Sequence, residues 1–208
     1  MIERHLRQSV LDALDETRVV VVLGARQVGK STLVEQITSD QIGRRAFADR
    51  IVAGGFPAAQ VRSDARRERF FASYVDTVTG RDLRTIARVH DRANVRKLLT
   101  GIGSISASLL NIDSLGRDLG LAPNTVRAHA ALLETLFLTV RVEAWHSNLL
   151  SRLTKAPKVY VADSGLLCHL IGIGADGIAH DAVIAGRVFE TFAAMEVRRQ
   201  IAWQDDPP

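Results

Sequence analysis

The chain has 208 residues, of which 47% are hydrophobic and 24% are charged, a composition typical of a globular protein with a buried core. Its net charge of +4 permits a nucleic-acid partner without requiring one. The single cysteine, Cys168, excludes an intramolecular disulfide, and no apolar run approaches the ~20 residues of a membrane span. We therefore expect a soluble protein of the reducing cytoplasm that has no membrane partner.

The N-terminal region, residues 1–49, is organised around a phosphate-binding loop. Residues 2–14 predict an amphipathic helix from apolar residues at every fourth position, and the charges among them argue against a signal peptide. The apolar run of residues 19–23 predicts a buried strand, and a helix is expected from Lys30 onward. Between them, GARQVGKS at residues 24–31 matches the Walker A pattern GxxxxGK[ST] at every defined position.

The residue types in this loop suit nucleotide phosphates. Glycines allow successive backbone N–H groups to point at phosphate oxygens, and the following helix directs the positive end of its dipole at them. Lys30 is expected to reach the β- and γ-phosphates, and the Ser31 hydroxyl is the expected protein ligand of the Mg²⁺ that accompanies ATP. The predicted site for ATP and Mg²⁺ comprises Gly24, Ala25, Arg26, Gln27, Val28, Gly29, Lys30, Ser31 and Thr32.

A hydrolysing site also needs further strands and an acidic residue that holds Mg²⁺ and positions water. Residues 46–49 form a poor candidate for that second strand. Residues 158–163 are apolar and end in Asp163, as a Walker B strand does, but the same pattern describes a strand end that caps the next helix, which is the interpretation we favour. The protein is at most a P-loop ATPase without an identifiable Walker B acid.

Residues 50–100 predict a helical linker region with a turn at residues 54–57. Four arginines recur every four residues within it and would form a basic stripe on one helix: Arg84, Arg88, Arg92 and Arg96. A phosphate-binding surface and a solvated face both explain such a stripe, and we favour the solvated face.

Residues 101–150 predict a helix-turn-helix. Leu115 and Leu119 mark a first helix, Gly120 opens a turn, and Pro123 suits the first position of a second helix. A second helix of this kind lies in the DNA major groove in many proteins. The residues available to bases or phosphates would be Asn124, Thr125, Arg127 and His129. Three arginines against four acidic residues leave the region at −1, so a protein partner remains an alternative to DNA.

Residues 151–208 predict a short strand, a helix from about Leu166 and a last helix over residues 186–201. Together these elements indicate the start of an incomplete C-terminal domain. The predicted fold class is mixed α/β and mostly α. It consists of a remnant P-loop strand, loop and helix, followed by a helical region and a winged helix-turn-helix.

The chain resembles prokaryotic AAA-type ATP-binding proteins that join a P-loop ATPase domain to a winged helix and a C-terminal domain similar to PD-(D/E)xK nucleases. Six segments carry this resemblance in family order: GARQVGKSTL at 24–33, GGFPAA at 54–59, YVDTVTGRDL at 74–83, LGRDLGLAPNTVRAHAALLE at 115–134, KAPKVYVADSGLL at 155–167 and GRVFETFAAMEV at 186–197.

The resemblance implies an ATP-binding protein that is shortened in its ATPase domain and at its C-terminus. The interval that holds Walker B in the family is nearly absent, and of the nuclease-like site only Glu190 matches. A homo-oligomer would be one way to supply a missing acid in trans. The alternative is a DNA-binding or protein-interaction winged-helix module without nucleotide activity.

Overall fold

The computed structural model describes residues 44–82, 92–144 and 155–202, together with Asp12. The predicted phosphate-binding loop and its preceding strand lie outside these residues. Within them, helices dominate and one small antiparallel sheet is present, so the predicted mixed α/β, mostly α class is confirmed.

The first described part is helical, as predicted. It comprises α1 (Arg44–Ala53), α2 (Pro57–Gln60), α3 (Asp64–Thr77) and a π-helical turn (Val78–Asp82). Pro57 opens α2, where its missing N–H has no helical partner to lose. Residues 46–49, judged a poor strand from sequence, belong to α1, which runs through the predicted boundary between residues 49 and 50.

The middle of the chain forms α4 (Arg92–Ser104), β1 (Ser108–Leu109), α5 (Ile112–Leu119) and α6 (Pro123–Thr135). The Asn111 side chain accepts the Ser114 N–H at 2.9 Å and so caps α5. Gly120 ends α5 with a φ of 64°, a conformation that glycine adopts at no steric cost. The two helices predicted around Leu115 and Pro123, and the glycine turn between them, are therefore present.

The last part comprises β2 (Thr139–Val142), β3 (Lys158–Val161), α7 (Ser164–Ile171), α8 (Ala175–His180) and α9 (Ala182–Ala202). The three strands lie in the order β1–β3–β2, and both pairings are antiparallel. Val159 of the central strand lies opposite Ser108 on one side and Arg141 on the other.

Helix α9 begins four residues before the predicted start at Gly186. The Asp181 carboxylate accepts the N–H groups of Val183 and Ile184 at 2.9 and 3.0 Å, which satisfies two donors of the first turn. This side-chain cap sets the helix start.

The main hydrophobic core lies where β3 meets α4, α6 and α7. Val159 and Val161 alternate with Tyr160 along β3, so the valines join this core and Tyr160 packs on the opposite face with Met195 of α9. The residues with less than 2% exposure include Leu98, Leu99, Leu133, Leu166 and Leu167. Among the helices of the described ranges, none combines the length and apolar character needed to cross a membrane.

Cys168 of α7 is 1% exposed, and its burial, with a smaller contribution from the nearby Asp163 charge, raises the pKa of its thiol from 9.0 to about 12. We expect a thiol-reactive dye at pH ~8 to label the native protein far more slowly than the urea-unfolded protein, because the native thiol is both inaccessible and protonated. Labelling kinetics with and without urea measure this difference. Equal rates in the two states would contradict the packing of α7.

Because the thiolate is disfavoured in the folded state, this burial stabilises the protein fully below pH 9.0 and progressively less as the pH rises toward 12.

Candidate functional site

The nine residues of the predicted ATP site, Gly24 to Thr32, lie outside the described residues, as do Arg84 and Arg88 of the predicted basic stripe. The site for ATP and Mg²⁺ therefore stays a prediction from sequence. Of the stripe, Arg96 forms an ion pair with Asp76 of α3, and Arg92 lies 3.5 Å from the Gly80 carbonyl oxygen.

The exposed face of α6 carries part of the predicted nucleic-acid surface. Asn124 and Arg127 are exposed, and Thr125 is half-buried. One Arg127 nitrogen donates to the Asn124 side-chain oxygen at 3.1 Å, and another lies 4.0 Å from an Asp113 carboxylate oxygen. Arg127 is the one residue of the predicted set that is always positively charged. Its guanidinium group therefore already contacts neighbours on α5 and α6.

His129 does not belong to this surface, and its predicted availability to DNA is wrong. It is buried in the same row of α6 as Val126, Ala130 and Leu133. The spacing of three and four residues puts all four side chains on the inner face of the helix.

The carboxylate of Asp163, which is 3% exposed, contacts three separate parts of the described chain. Its Oδ1 accepts the Leu166 N–H at 2.9 Å, which caps α7. Its Oδ2 accepts the Gly55 N–H at 2.6 Å and lies 3.5 Å from a guanidinium nitrogen of Arg199. The carboxylate thus joins the turn between α1 and α2, the start of α7 and the end of α9.

The turn before α2 is shaped for this contact. Gly54 has a φ of 70°, and a Cβ at this position would overlap the Asp163 carboxylate. The hydroxyl of Ser164 donates to the Ile51 carbonyl oxygen at 2.8 Å, which holds α7 against the end of α1. Two of the six segments that carry the sequence resemblance, residues 54–59 and 155–167, therefore meet at Asp163.

These contacts settle the two interpretations of the strand that ends at Asp163. One oxygen caps α7 and the other accepts the Gly55 N–H, so the predicted capping role is confirmed. In the described ranges, no group of three His, Cys, Asp or Glu side chains is placed to hold a metal ion.

Glu190 of α9 has a contact role as well. Its Oε1 accepts hydrogen bonds from Lys158 Nζ at 2.5 Å and from the Tyr160 hydroxyl at 2.9 Å, both on β3. Burial, followed by the hydrogen bond to Glu190 and the charge of Glu190, raises the pKa of Tyr160 to about 12. The phenol therefore stays protonated at neutral pH and keeps α9 attached to the sheet.

One charged surface in the structure was not singled out from sequence. Arg66, Arg69 and Ser73 lie along one face of α3, and together with Arg62, which precedes the helix, they line a shallow groove. Their spacing of four, three and four residues was a usable signal, since it is the spacing of one helix face. The four-residue repeat that begins at Arg84 is the longer and more regular pattern in the sequence.

A family model described as a domain of unknown function, DUF8612, matches residues 44–177, from the start of α1 into α8. Similar proteins include the uncharacterized protein Mb2031c of Mycobacterium bovis and the uncharacterized protein Rv2008c of Mycobacterium tuberculosis. Each is 30% identical over 149 residues, which cover 70% of this chain and 34% of the relative. The chain thus spans about a third of the length of these relatives. No solved structure matches.

The contacts of Asp163 predict that its removal lowers the free energy of unfolding more than removal of a second capping aspartate, Asp181. Asp163→Ala removes a helix cap and leaves the partly buried Gly55 N–H unsatisfied, so we expect a loss of about 2–4 kcal/mol in the free energy of unfolding. Asp181→Ala is the matched control, because Asp181 caps α9 from an exposed position and its loss should cost about 1 kcal/mol. Urea unfolding of both variants measures the difference. Equal costs would show that the buried contacts of Asp163 add nothing to its cap.

Proposed function

Because the chain belongs to the DUF8612 family, a domain of unknown function, we propose its function from its own residues: it binds ATP through the Walker A loop of residues 24–32. The observation that carries this proposal is the match of GARQVGKS to every defined position of the phosphate-binding pattern, directly after an apolar run and before a helical pattern. Lys30 would contact the β- and γ-phosphates, and Ser31 would hold Mg²⁺ together with them.

The described part of the chain supports this assignment indirectly. In the ATPase family that the sequence resembles, a Walker A domain precedes the segments found here at residues 54–59 and 155–167. Those segments contact one another through Gly55 and Asp163. The retained contact between these two segments supports the proposal that the nucleotide-binding loop is retained as well.

The proposal is limited to binding. Asp163 is the one residue of the described ranges whose sequence context matched a Walker B acid, and its oxygens are occupied by Gly55, Leu166 and Arg199. A second copy of the chain would be the way to supply a catalytic acid in trans, so a homo-oligomer belongs to the same proposal. We further propose a cytoplasmic location, which the single, unpaired cysteine of the sequence favours.

The test is the binding of a fluorescent ATP analogue, with and without Mg²⁺, to the wild type and to Lys30→Ala. We expect saturable binding by the wild type and at least about tenfold weaker binding by the variant, because charge-assisted hydrogen bonds to phosphate are lost. Lys97→Ala is the matched control, since Lys97 is an exposed lysine of α4 and its removal changes the net charge equally. Binding that is absent in the folded wild type, or that falls equally in both variants, would refute the proposal.

A second candidate function is a winged-helix module, and the order of elements favours it. From α4 to β3 the described residues run helix, strand, helix, helix, strand, strand, and the central strand of the sheet is the last one, β3. Together with the glycine turn between α5 and α6, this is the layout expected of a winged helix-turn-helix.

For such a module, the contacts of α6 favour a protein partner over base reading. Its exposed arginine, Arg127, faces Asn124 and Asp113, and His129 is buried. Reading DNA with α6 would require Arg127 to leave both neighbours. A surface on which several cations face solvent together is a better candidate for contact with nucleic acid than the surface of α6.

A further inference from the structure

The outer face of α3 brings three arginines to one side of the molecule. Arg62 lies two residues before the first residue of the helix, Asp64, and Arg66, Arg69 and Ser73 follow at spacings of four, three and four residues. These side chains and Phe70 line a shallow groove of about 360 Å³. No acidic residue contributes to its lining.

Each carboxylate of α3 is paired with a group outside this row. Asp64 contacts Arg67 at 2.9 Å, Glu68 contacts His169 of α7 at 2.7 Å, and Asp76 contacts Arg96 of α4. The acids that would otherwise neutralise the arginine row are thus turned toward other partners. The groove keeps an excess of three positive charges.

The three arginines differ in how firmly they are held. Arg62 donates to the Ala58 carbonyl oxygen, and its guanidinium carbon lies 4.9 Å from the centre of the Phe70 ring, so its position is fixed at one end of the groove. Arg66 and Arg69 are exposed, and within the described ranges neither forms an ion pair. The guanidinium groups of Arg66 and Arg69 are therefore available to a ligand, whereas that of Arg62 already has contacts within the protein.

We propose that this arginine row binds the phosphate backbone of duplex nucleic acid without reading its sequence. Guanidinium groups bind phosphate oxygens through paired N–H donors, which makes arginine the residue suited to this contact. Arg66 and Arg69 lie three residues apart in α3, a rise of about 4.5 Å, and phosphates of one strand follow each other about every 3.4 Å along the duplex axis. Each of the three arginines can therefore contact a different phosphate, which gives about three phosphate contacts. It offers no amide or carboxylate that would recognise a base edge.

The proposed contact with duplex nucleic acid is independent of the proposed nucleotide binding. It is assigned to the α3 surface and not to the α6 surface. The α6 surface has one exposed arginine, which already has an acidic and an amide neighbour. The α3 surface has three arginines whose acidic neighbours are engaged elsewhere. Long-range attraction of a polyanion follows the surface with the larger unpaired charge.

The experiment measures the affinity of the full chain for a fluorescein-labelled duplex of about 16 base pairs by anisotropy, across a salt series from about 50 to 200 mM without ATP. Three phosphate contacts predict a slope of log affinity against log salt of about −2.7, which is a loss of about 40-fold over this range. The double variant Arg66→Ala/Arg69→Ala should keep one contact, with a slope of about −0.9 and a loss of about fourfold.

Three control variants assign the effect to this surface. Arg127→Ala should retain the wild-type slope, and so should Lys30→Ala, which keeps this test independent of nucleotide binding. Arg66→Lys/Arg69→Lys should keep most of the slope, since the charge remains. Equal urea midpoints for wild type and variants establish that exposed substitutions have not altered folding.

Four outcomes would overturn the assignment. They are no binding by the folded wild type, a slope unchanged in Arg66→Ala/Arg69→Ala, a loss confined to Arg127→Ala, and binding of a fluorescein-labelled poly-glutamate peptide that is tighter than binding of DNA. The third outcome would transfer the contact to α6, and the fourth would identify an acidic protein segment as the partner.

Discussion

A buried carboxylate, that of Asp163, determines how the described elements fit together. A charge that is 3% exposed is costly unless donors surround it. Here two backbone N–H groups, of Gly55 and Leu166, and the Arg199 guanidinium meet that need. These donors come from the turn between α1 and α2, from α7 and from α9. The positions of these three parts of the chain therefore depend on one another. The left-handed backbone at Gly54 follows from the same contact, since no side chain fits between that turn and the carboxylate.

The same contact limits the chemistry available in the described ranges. Asp163 and Glu190 are the acids whose sequence context suggested a reaction, and both are engaged in holding elements together. Carboxylates committed to caps and cross-element hydrogen bonds are poor metal ligands, because binding an ion would break the contacts that position them. The Walker A loop is therefore the part of the chain that carries the proposed nucleotide binding, and a catalytic acid would have to come from elsewhere.

The charged surfaces are likewise organised by which ion pairs form. Helix α3 contains acids close to its arginines in sequence, yet Glu68 and Asp76 contact His169 and Arg96 on neighbouring helices. On α5 and α6 the reverse holds, since the acid Asp113 of α5 faces Arg127, the exposed arginine of α6. Net charge alone gives no indication of this division. It is the pairing with other helices that leaves a positive row on one face and a nearly neutral surface on the other.

Local signals in the sequence determined the helices and their ends. Gly120, Pro123 and Asp163 act through backbone conformation or capping within a few residues, so they predicted the turn between α5 and α6 and the start of α7 correctly. The Walker A pattern is of the same kind, and it remains a prediction because its residues lie outside the described ranges. Tertiary structure decided which helix face is buried at His129, that Asp163 meets Gly55, and which arginines keep an acidic neighbour. These properties depend on residues up to about a hundred positions apart, such as Glu68 and His169, and no short pattern contains that information.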